Sequence, residues 1–320
     1  MHNSIWQFVD DLFDGASMND RCIAIIAYKR SENLRLILEA AIRSDLSKIQ
    51  IYLDAPKTFA DHDQVDACRR IVVDYIHRFP ELIELNFRAE NLGSAMNVVL
   101  ALDEMFETYK YGIVLEDDCI PSSQFFDFCK DAFSFLDSSD ESIMGCGSKY
   151  FGGDSSIANL SIYPIIWGWC TTADKWTILR KAYSKKTYTS FRNPLVSWNE
   201  TIYWKNGRWR AVNGYIDAWD IPLVDLMLSR NLSALHAPVN LISNTGNDQF
   251  ALHTESESQF CNLSIGEYSG LGTPTRDPVY DLMLRSELYR IRPWHFFTGF
   301  LHNIFDLVLV KRRKRLISDF

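Results

Sequence analysis

The chain has 320 residues, 47% of them hydrophobic and 13% aromatic, with 33 basic and 41 acidic side chains for a formal net charge of −8. That length and composition suit a sizeable core in one large domain or two fused halves, and exclude general disorder. The acidic balance argues against a nucleic-acid binder, which would show a basic face.

Residues 1–20 read as an N-terminal extension. Asp10, Asp11 and Asp14 stand where a secretory signal would place a basic region and an apolar run. Cys22–Ala27 (CIAIIA) is a compact apolar run that predicts a strand, followed by Tyr28, Lys29 and Arg30. Ser31 is a candidate cap for a helix with apolar positions at Leu34, Ile37, Leu38, Ala41 and Ile42. Ile49–Leu53 predicts a second strand, ending at Asp54. Asp63–Phe79 has helical spacing, with Val65, Cys68, Ile71, Val72 and Ile76 near one face. Leu82–Asn86 predicts a third strand, and a helix from Ser94 to Tyr109 leads into a fourth at Ile113. Strands separated by helices of this length imply a parallel sheet with right-handed crossovers. Residues 21–141 therefore read as an α/β half of the nucleotide-binding kind.

The fourth strand ends in the most informative stretch, Ile113–Pro121 (IVLEDDCIP). Three apolar residues run into Glu116, Asp117 and Asp118. Cys119, Ile120 and Pro121 turn the chain, and Ser122 is a candidate cap for the next helix. Adjacent carboxylates repel, so a chain that points them at one spot commonly holds a cation there. In open α/β sheets, the C-terminal end of a strand is where ligands bind. A solvated acidic turn is the competing explanation.

Residues 142–260 form a stretch of different texture, rich in Trp, Tyr and Gly up to Trp219. Trp167, Gly168 and Trp169 sit together, and Trp176, Trp198, Trp204, Trp209 and Trp219 follow. Such rings stack on sugars, and they also fill cores. Neither an internal repeat nor a low-complexity linker divides the chain, which predicts one fused domain. Seven cysteines are scattered without a Cys-x-x-Cys pair, which predicts reduced thiols and a cytoplasmic setting.

The order of these features resembles the GT-A glycosyltransferases, and among them the N-acetylglucosaminyltransferase I type with its Glu-Asp-Asp motif. The pieces are Ile23–Leu34, Val114–Phe128, Ile162–Trp176, Ala218–Asp220 and Asn240–Thr254. The resemblance implies an α/β GT-A fold with a mostly parallel central sheet flanked by helices. It also implies transfer of a hexosyl or N-acetylhexosaminyl group from a nucleotide-diphosphate sugar, UDP-sugar first, to a glycan hydroxyl. The expected course is inversion with Mn²⁺ or Mg²⁺. Cell-surface polysaccharide or glycolipid synthesis is the setting such a reaction suggests.

The implied roles fall on particular residues. Tyr28 and Arg30 lie at the nucleotide, with the Arg30 fork suited to a diphosphate. Asp54 takes the place of a carboxylate on the uracil ring, although an Asp at a strand end also serves as a turn former. Arg88, Asn91, Leu92 and Gly93 form a loop before a helix N-terminus, suited to phosphate or ribose or to an ordinary cap. Asp118 is the metal ligand, Asp117 faces the ribose or donor sugar, and Glu116 supports them. His253 is a candidate late metal ligand or a structural residue. Asp220 is the candidate base, with Asp217 second; the alternative for Asp220 is a helix cap. Trp167, Gly168 and Trp169 resemble a segment beside the donor and acceptor sugars, where Gly168 lets the backbone approach.

Residues 261–320 are a C-terminal extension. Trp294–Val310 is apolar, interrupted by His302, Asn303 and Asp306, and Lys311–Arg315 is basic throughout. No stretch supplies the roughly 20 uninterrupted apolar residues of a membrane span. The tail reads either as a peripheral contact with the inner face of the cell membrane and a lipid-linked acceptor, or as a docked helix with a solvated end. Two other functions remain alternatives. A sugar-phosphate nucleotidyltransferase would usually have a Gly-rich loop after the first strand, where this chain has AYKRSENL. A catalytically inactive carbohydrate-binding protein on the same fold is the other.

Overall fold

The computed structural model describes residues 20–44, 48–152, 155–185, 195–246 and 260–291. Residues 1–19, His253 and the apolar and basic stretches of the tail lie outside them. In chain order the first half runs β1 (Arg21–Ala27), α1 (Ser31–Ile42), β2 (Lys48–Leu53), α2 (His62–Arg78), β3 (Ile83–Phe87), α3 (Ser94–Phe106) and β4 (Tyr111–Glu116). Then come β5 (Cys119–Pro121), α4 (Ser123–Ser138), β6 (Ser142–Cys146), β7 (Asn159–Ser161), β8 (Trp169–Thr172) and α5 (Ala173–Leu179). The last elements are α6 (Trp198–Val212), α7 (Asp220–Arg230), β9 (Ser233–His236), β10 (Ile242–Asn244), β11 (Thr275–Arg276) and α8 (Pro278–Met283).

Among the described residues, nine strands form one sheet in the order β11-β7-β9-β6-β8-β4-β1-β2-β3. β3, β2, β1 and β4 are mutually parallel. β8 enters antiparallel between β4 and β6, and β9 pairs parallel with β6. The architecture is α/β, with a mostly parallel central sheet flanked by helices. Strands from 21–141 and from 142–260 share this sheet.

The alternation of side chains along β1 explains the layers, because successive residues face opposite sides of a sheet. Cys22, Ala24 and Ile26 join one core with Ala95, Val98, Val99 and Leu102 of α3 and with Leu223, Val224 and Met227 of α7. Ile23, Ile25 and Ala27 join the other, with Leu34, Ile37 and Leu38 of α1, Val65, Cys68 and Val72 of α2, and Phe125, Phe126 and Phe128 of α4. Apolar residues on both faces are what a sheet covered by helices requires.

Two caps differ from the sequence reading. Ser31 is the first residue of α1, after an Arg30 N-cap that makes no side-chain cap bond. Ser122 is the N-cap of α4, with extended backbone, yet its hydroxyl makes no cap bond and is buried without a partner. Of the tryptophans, Trp169, Trp176, Trp204 and Trp219 are buried, whereas Trp198 is 61% exposed. All seven cysteines are free thiols. No described helix is long and apolar enough to cross a membrane.

Candidate active site

The parallel register brings three strand ends level. Ile26 pairs with Glu116, and Ala27 pairs with Leu53. The residues that follow each strand therefore meet at one edge of the sheet, Tyr28–Arg30, Asp54–Ala55 and Asp117–Asp118. A cleft of about 420 Å³ opens there, within the usual size range of small-molecule sites, about 300–1,000 Å³. Its walls include Tyr28, Arg30, Asp54, Asn91, Gly93, Glu116, Asp117, Asp118, Trp167, Asp217 and Asp220. These were all candidates from the sequence, and the fold gathers them from six separate segments.

The acidic turn is held in place by a small second sheet. β5 pairs antiparallel with β10, more than a hundred residues later. Beyond that pairing, Thr245 donates its N–H to the Asp118 carbonyl at 2.8 Å. Asn33 of α1 donates through Nδ2 to the Asp117 carbonyl at 3.0 Å and to the Thr245 hydroxyl at 2.9 Å. The backbone of the motif is thus tied on two sides, which leaves its side chains to face the cleft.

Asp117 accepts from the Tyr28 N–H at 2.9 Å and from Arg30 Nη1 at 2.7 Å. Arg30 Nη1 also lies 3.8 Å from Asp118 Oδ2. Cys119 Sγ sits 3.2 Å from Asp118 Oδ1. Gly246 packs so closely that a Cβ there would fall 2.6 Å from Asp118 Oδ2. Burial and the neighbouring Asp118, Asp117 and Asp220 carboxylates push Glu116 well above the ordinary carboxylate range, against the pull of Arg30. Burial and Asp117 likewise raise Asp118, again opposed by Arg30. Four carboxylates facing one guanidinium leave a surplus of negative charge, which a cation would relieve.

The donor set is carboxylate oxygen, which suits a hard divalent ion. Among the described residues, no three or more ligating side chains are gathered as a ready metal site. That is compatible with an ion carried by one or two carboxylates plus phosphate oxygens. The residues present fit such a group.

Asp220 is the first residue of α7, and the N-cap position belongs to Trp219. The helix starts two residues earlier than its Pro222 suggested. Asp220 is therefore not the cap, although a carboxylate in the first turn does favour the helix dipole. Asp217 accepts from the Ala95 N–H at 2.8 Å. Trp219 stacks on Trp169, with ring centroids 5.7 Å apart, in the core beneath them.

Three candidates stand back from the cleft lining. Arg88 bonds Asn97 Oδ1 at 2.9 Å and Glu104 at 2.7 Å, and lies over the Tyr52 ring. Trp169 is buried, 1% exposed. Gly168 has φ +69°, and a Cβ there would meet Ile242 at 2.4 Å, so its glycine character serves packing against β10. Trp167, by contrast, does line the cleft, edge-on to Tyr150. His253 falls outside the described residues.

The sequence reading missed Lys57, Asp61, Asn97, Asn244, Gly246 and Cys261, which also line the cleft. Lys29 pairs with Asp61 at 3.0 Å, and the Tyr28 hydroxyl accepts the Lys57 N–H at 3.0 Å. Asp61 caps its own turn through Thr58 and is held well below the usual carboxylate range by that hydroxyl and by Lys29, against some burial. The signal available for this wall was the Thr58-x-x-Asp61 spacing, a capping-box pattern.

No family model matches the chain, and no curated protein matches it. Among solved structures it is similar to mannosyltransferase PcManGT from Pyrobaculum calidifontis, in complex with GDP-Man and Mn²⁺. That match has 9% identity and a TM-score of 0.37, covering 73% of this chain and 64% of that one. It is also similar to GalNAc-T7 with UDP, GalNAc and Mn²⁺, at 11% identity and a TM-score of 0.40, covering 68% of this chain and 42% of that one. A third is 4-diphosphocytidyl-2C-methyl-D-erythritolsynthase from Anaerococcus prevotii, at 12% identity and a TM-score of 0.34, covering 53% of this chain and 80% of that one. The chain thus spans less than two thirds of the length of the first two. Similarity at this level says nothing of activity.

Proposed function

We propose that the chain is a glycosyltransferase of the GT-A type. It moves a hexosyl or N-acetylhexosaminyl group from a nucleotide-diphosphate sugar, with UDP-sugar the first choice, to a glycan hydroxyl with inversion. One observation carries the reading. The Glu116–Asp118 carboxylates, the Arg30 guanidinium and Asp220 face a single cleft at the C-terminal ends of parallel strands. Ligands of open α/β sheets bind at that edge.

The roles follow from chemistry. Asp220 takes the proton from the acceptor hydroxyl as it attacks. Arg30 orients the diphosphate, exchanging its contact with Asp117 for phosphate oxygens. Trp167 offers a ring face to a sugar. Asp118 would hold Mn²⁺ or Mg²⁺, with Glu116 and Asp117 beside it; bound there, the ion supplies charge that stabilises the leaving diphosphate. The basic run Lys311–Arg315 after an apolar stretch supports an acceptor presented at the inner face of a membrane, in polysaccharide or glycolipid synthesis.

Two variants test this assignment. Asp220→Asn should retain nucleotide-sugar binding and stop transfer. Asp118→Ala should lose cation-dependent binding. Normal turnover in Asp220→Asn would remove Asp220 from the mechanism.

A further inference from the structure

A carboxylate at a strand end in a nucleotide-sized cleft invites a direct role in holding the base. Asp54 is already engaged. Its Oδ1 accepts from the N–H groups of Ala55 and Leu92, both at 2.9 Å. Its Oδ2 accepts from the Gly93 N–H at 2.9 Å and from Asn91 Nδ2 at 3.1 Å. A carboxylate has about four lone-pair sites, and here four donors occupy them. Asp54 as a whole residue is 4% exposed. The Asn91 amide is tied down as well, since Nδ2 also donates to the Ala55 carbonyl at 2.8 Å.

The same loop is gripped from across the cleft. Asp217 Oδ1 accepts from the Ala95 N–H at 2.8 Å. Arg88 enters the loop with its N–H on the Leu53 carbonyl at 3.0 Å, which continues the β2–β3 ladder past the end of β3. Segment 91–95 therefore hangs between two carboxylates. One follows β2. The other lies three residues before Asp220, on the segment that leads into α7.

We propose that Asp54 and Asp217 are positioning residues that clamp segment 91–95 from two sides. Asp54 supports the donor wall without reading the base, and Asp217 sets the spacing between that wall and Asp220. This rests on the reading of the cleft as a donor site. Charge-assisted bonds to backbone amides are among the stronger ones in a protein, so the clamp holds the loop in one place. In this assignment Asp217 serves the clamp through Oδ1, and the role of base stays with Asp220.

The test uses the full chain with Mn²⁺ and a set of nucleoside diphosphates with different bases. Asp54→Asn replaces an acceptor oxygen with an NH₂ that meets donors. It should weaken binding by about tenfold for every nucleotide and leave the ratios between them unchanged. Amide exchange at Leu92 and Gly93 should quicken. Asp217→Ala should quicken exchange at Ala95 and lower kcat. Asp217→Asn, which keeps an acceptor oxygen, should recover most of that kcat with an unshifted pH profile.

A changed preference among bases in Asp54→Asn would overturn the clamp and make Asp54 a base reader. Equal inactivity of Asp217→Asn and Asp217→Ala would make Asp217 the base. If the wild-type chain bound no nucleotide, the donor reading would fall, and amide exchange would still decide the clamp: unaltered exchange at Leu92 and Gly93 overturns it. If Asp54→Asn does not fold, Asn91→Ala removes one of the four donors and should weaken all nucleotides alike; a base-selective loss there also overturns the proposal.

Discussion

Asp225 lies in the middle of α7, the helix that begins with Asp220, and is 2% exposed. Its Oδ2 accepts no hydrogen bond. Arg208 Nε stands 3.9 Å away but donates to the Ala182 carbonyl at 2.9 Å. Burial pushes the Asp225 carboxyl up to about 6 from an ordinary 3.8, with Arg208 and Lys205 pulling the other way. The folded value lies above the unfolded one. Its stability contribution is therefore fully present below pH 3.8 and is lost as pH rises through 6. About two units at about 1.4 kcal/mol each give a cost near 3 kcal/mol in the ionised state. Asparagine has the same shape and cannot ionise. Asp225→Asn should therefore stabilise the chain by about 3 kcal/mol at pH 8, with the gain falling below about 1 kcal/mol near pH 4. Urea unfolding of both proteins at a series of pH values measures this, with the slope held common. A destabilised variant at pH 8, or a gain that does not shrink toward pH 4, would refute the reasoning.

Other expectations rest on single contacts. Gly246→Ala should press on Asp118, since a Cβ would lie 2.6 Å from its Oδ2 and 3.1 Å from Asn244 Oδ1. Cation-dependent nucleotide affinity should fall by about tenfold with little change in Tm, and calorimetric titration would show an unaltered affinity if the contact were harmless. His236 is fully buried beside the Tyr280 hydroxyl at 2.9 Å, and burial holds it down to about 3. Its folded value is depressed, so stability is full above pH 6.5 and falls with acidification toward 3, by up to about 1.4 kcal/mol per unit. His236→Gln should flatten the urea midpoint between pH 7 and pH 5; an unchanged slope would place the acid sensitivity elsewhere.

The first half was legible because its signals are local. CIAIIA became β1 with one added residue, Arg21, and IQIYL became β2 with one added, Lys48. The apolar spacing of α1 buried Leu34, Ile37, Leu38 and Ala41 as read, with Ile42 only partly covered. The acidic motif announced itself by charge at a strand end. What the sequence did not disclose depends on contacts between distant segments. β5 and β10 have three residues each and pair across more than a hundred. Periodicity has nothing to register in segments so short. Thr245 and Gly246 come to the site through that pairing, and Asn33 through its bond to the Asp117 carbonyl.

Side-chain direction was equally hidden. Arg88, Asn91 and Asp54 all stand near the right strand ends. Only the folded loop reveals that Arg88 turns to Glu104 and Asn97, and that Asp54 is filled by amides. Trp167 and Trp169 are two residues apart with the left-handed Gly168 between them, and one lines the cleft while the other stacks on Trp219 in the core.

The central claim is that the cleft binds a nucleotide diphosphate together with a divalent cation held by Asp118. A thermal-shift panel of nucleotide diphosphates and nucleotide sugars, each with and without Mn²⁺, tests it directly. A ligand at a hundred times its dissociation constant stabilises the native state by about 2.7 kcal/mol. The account predicts a rise in Tm for one nucleotide class that requires Mn²⁺ and disappears in Asp118→Ala. No shift for any nucleotide at such concentrations, or a shift that survives Asp118→Ala, would contradict it.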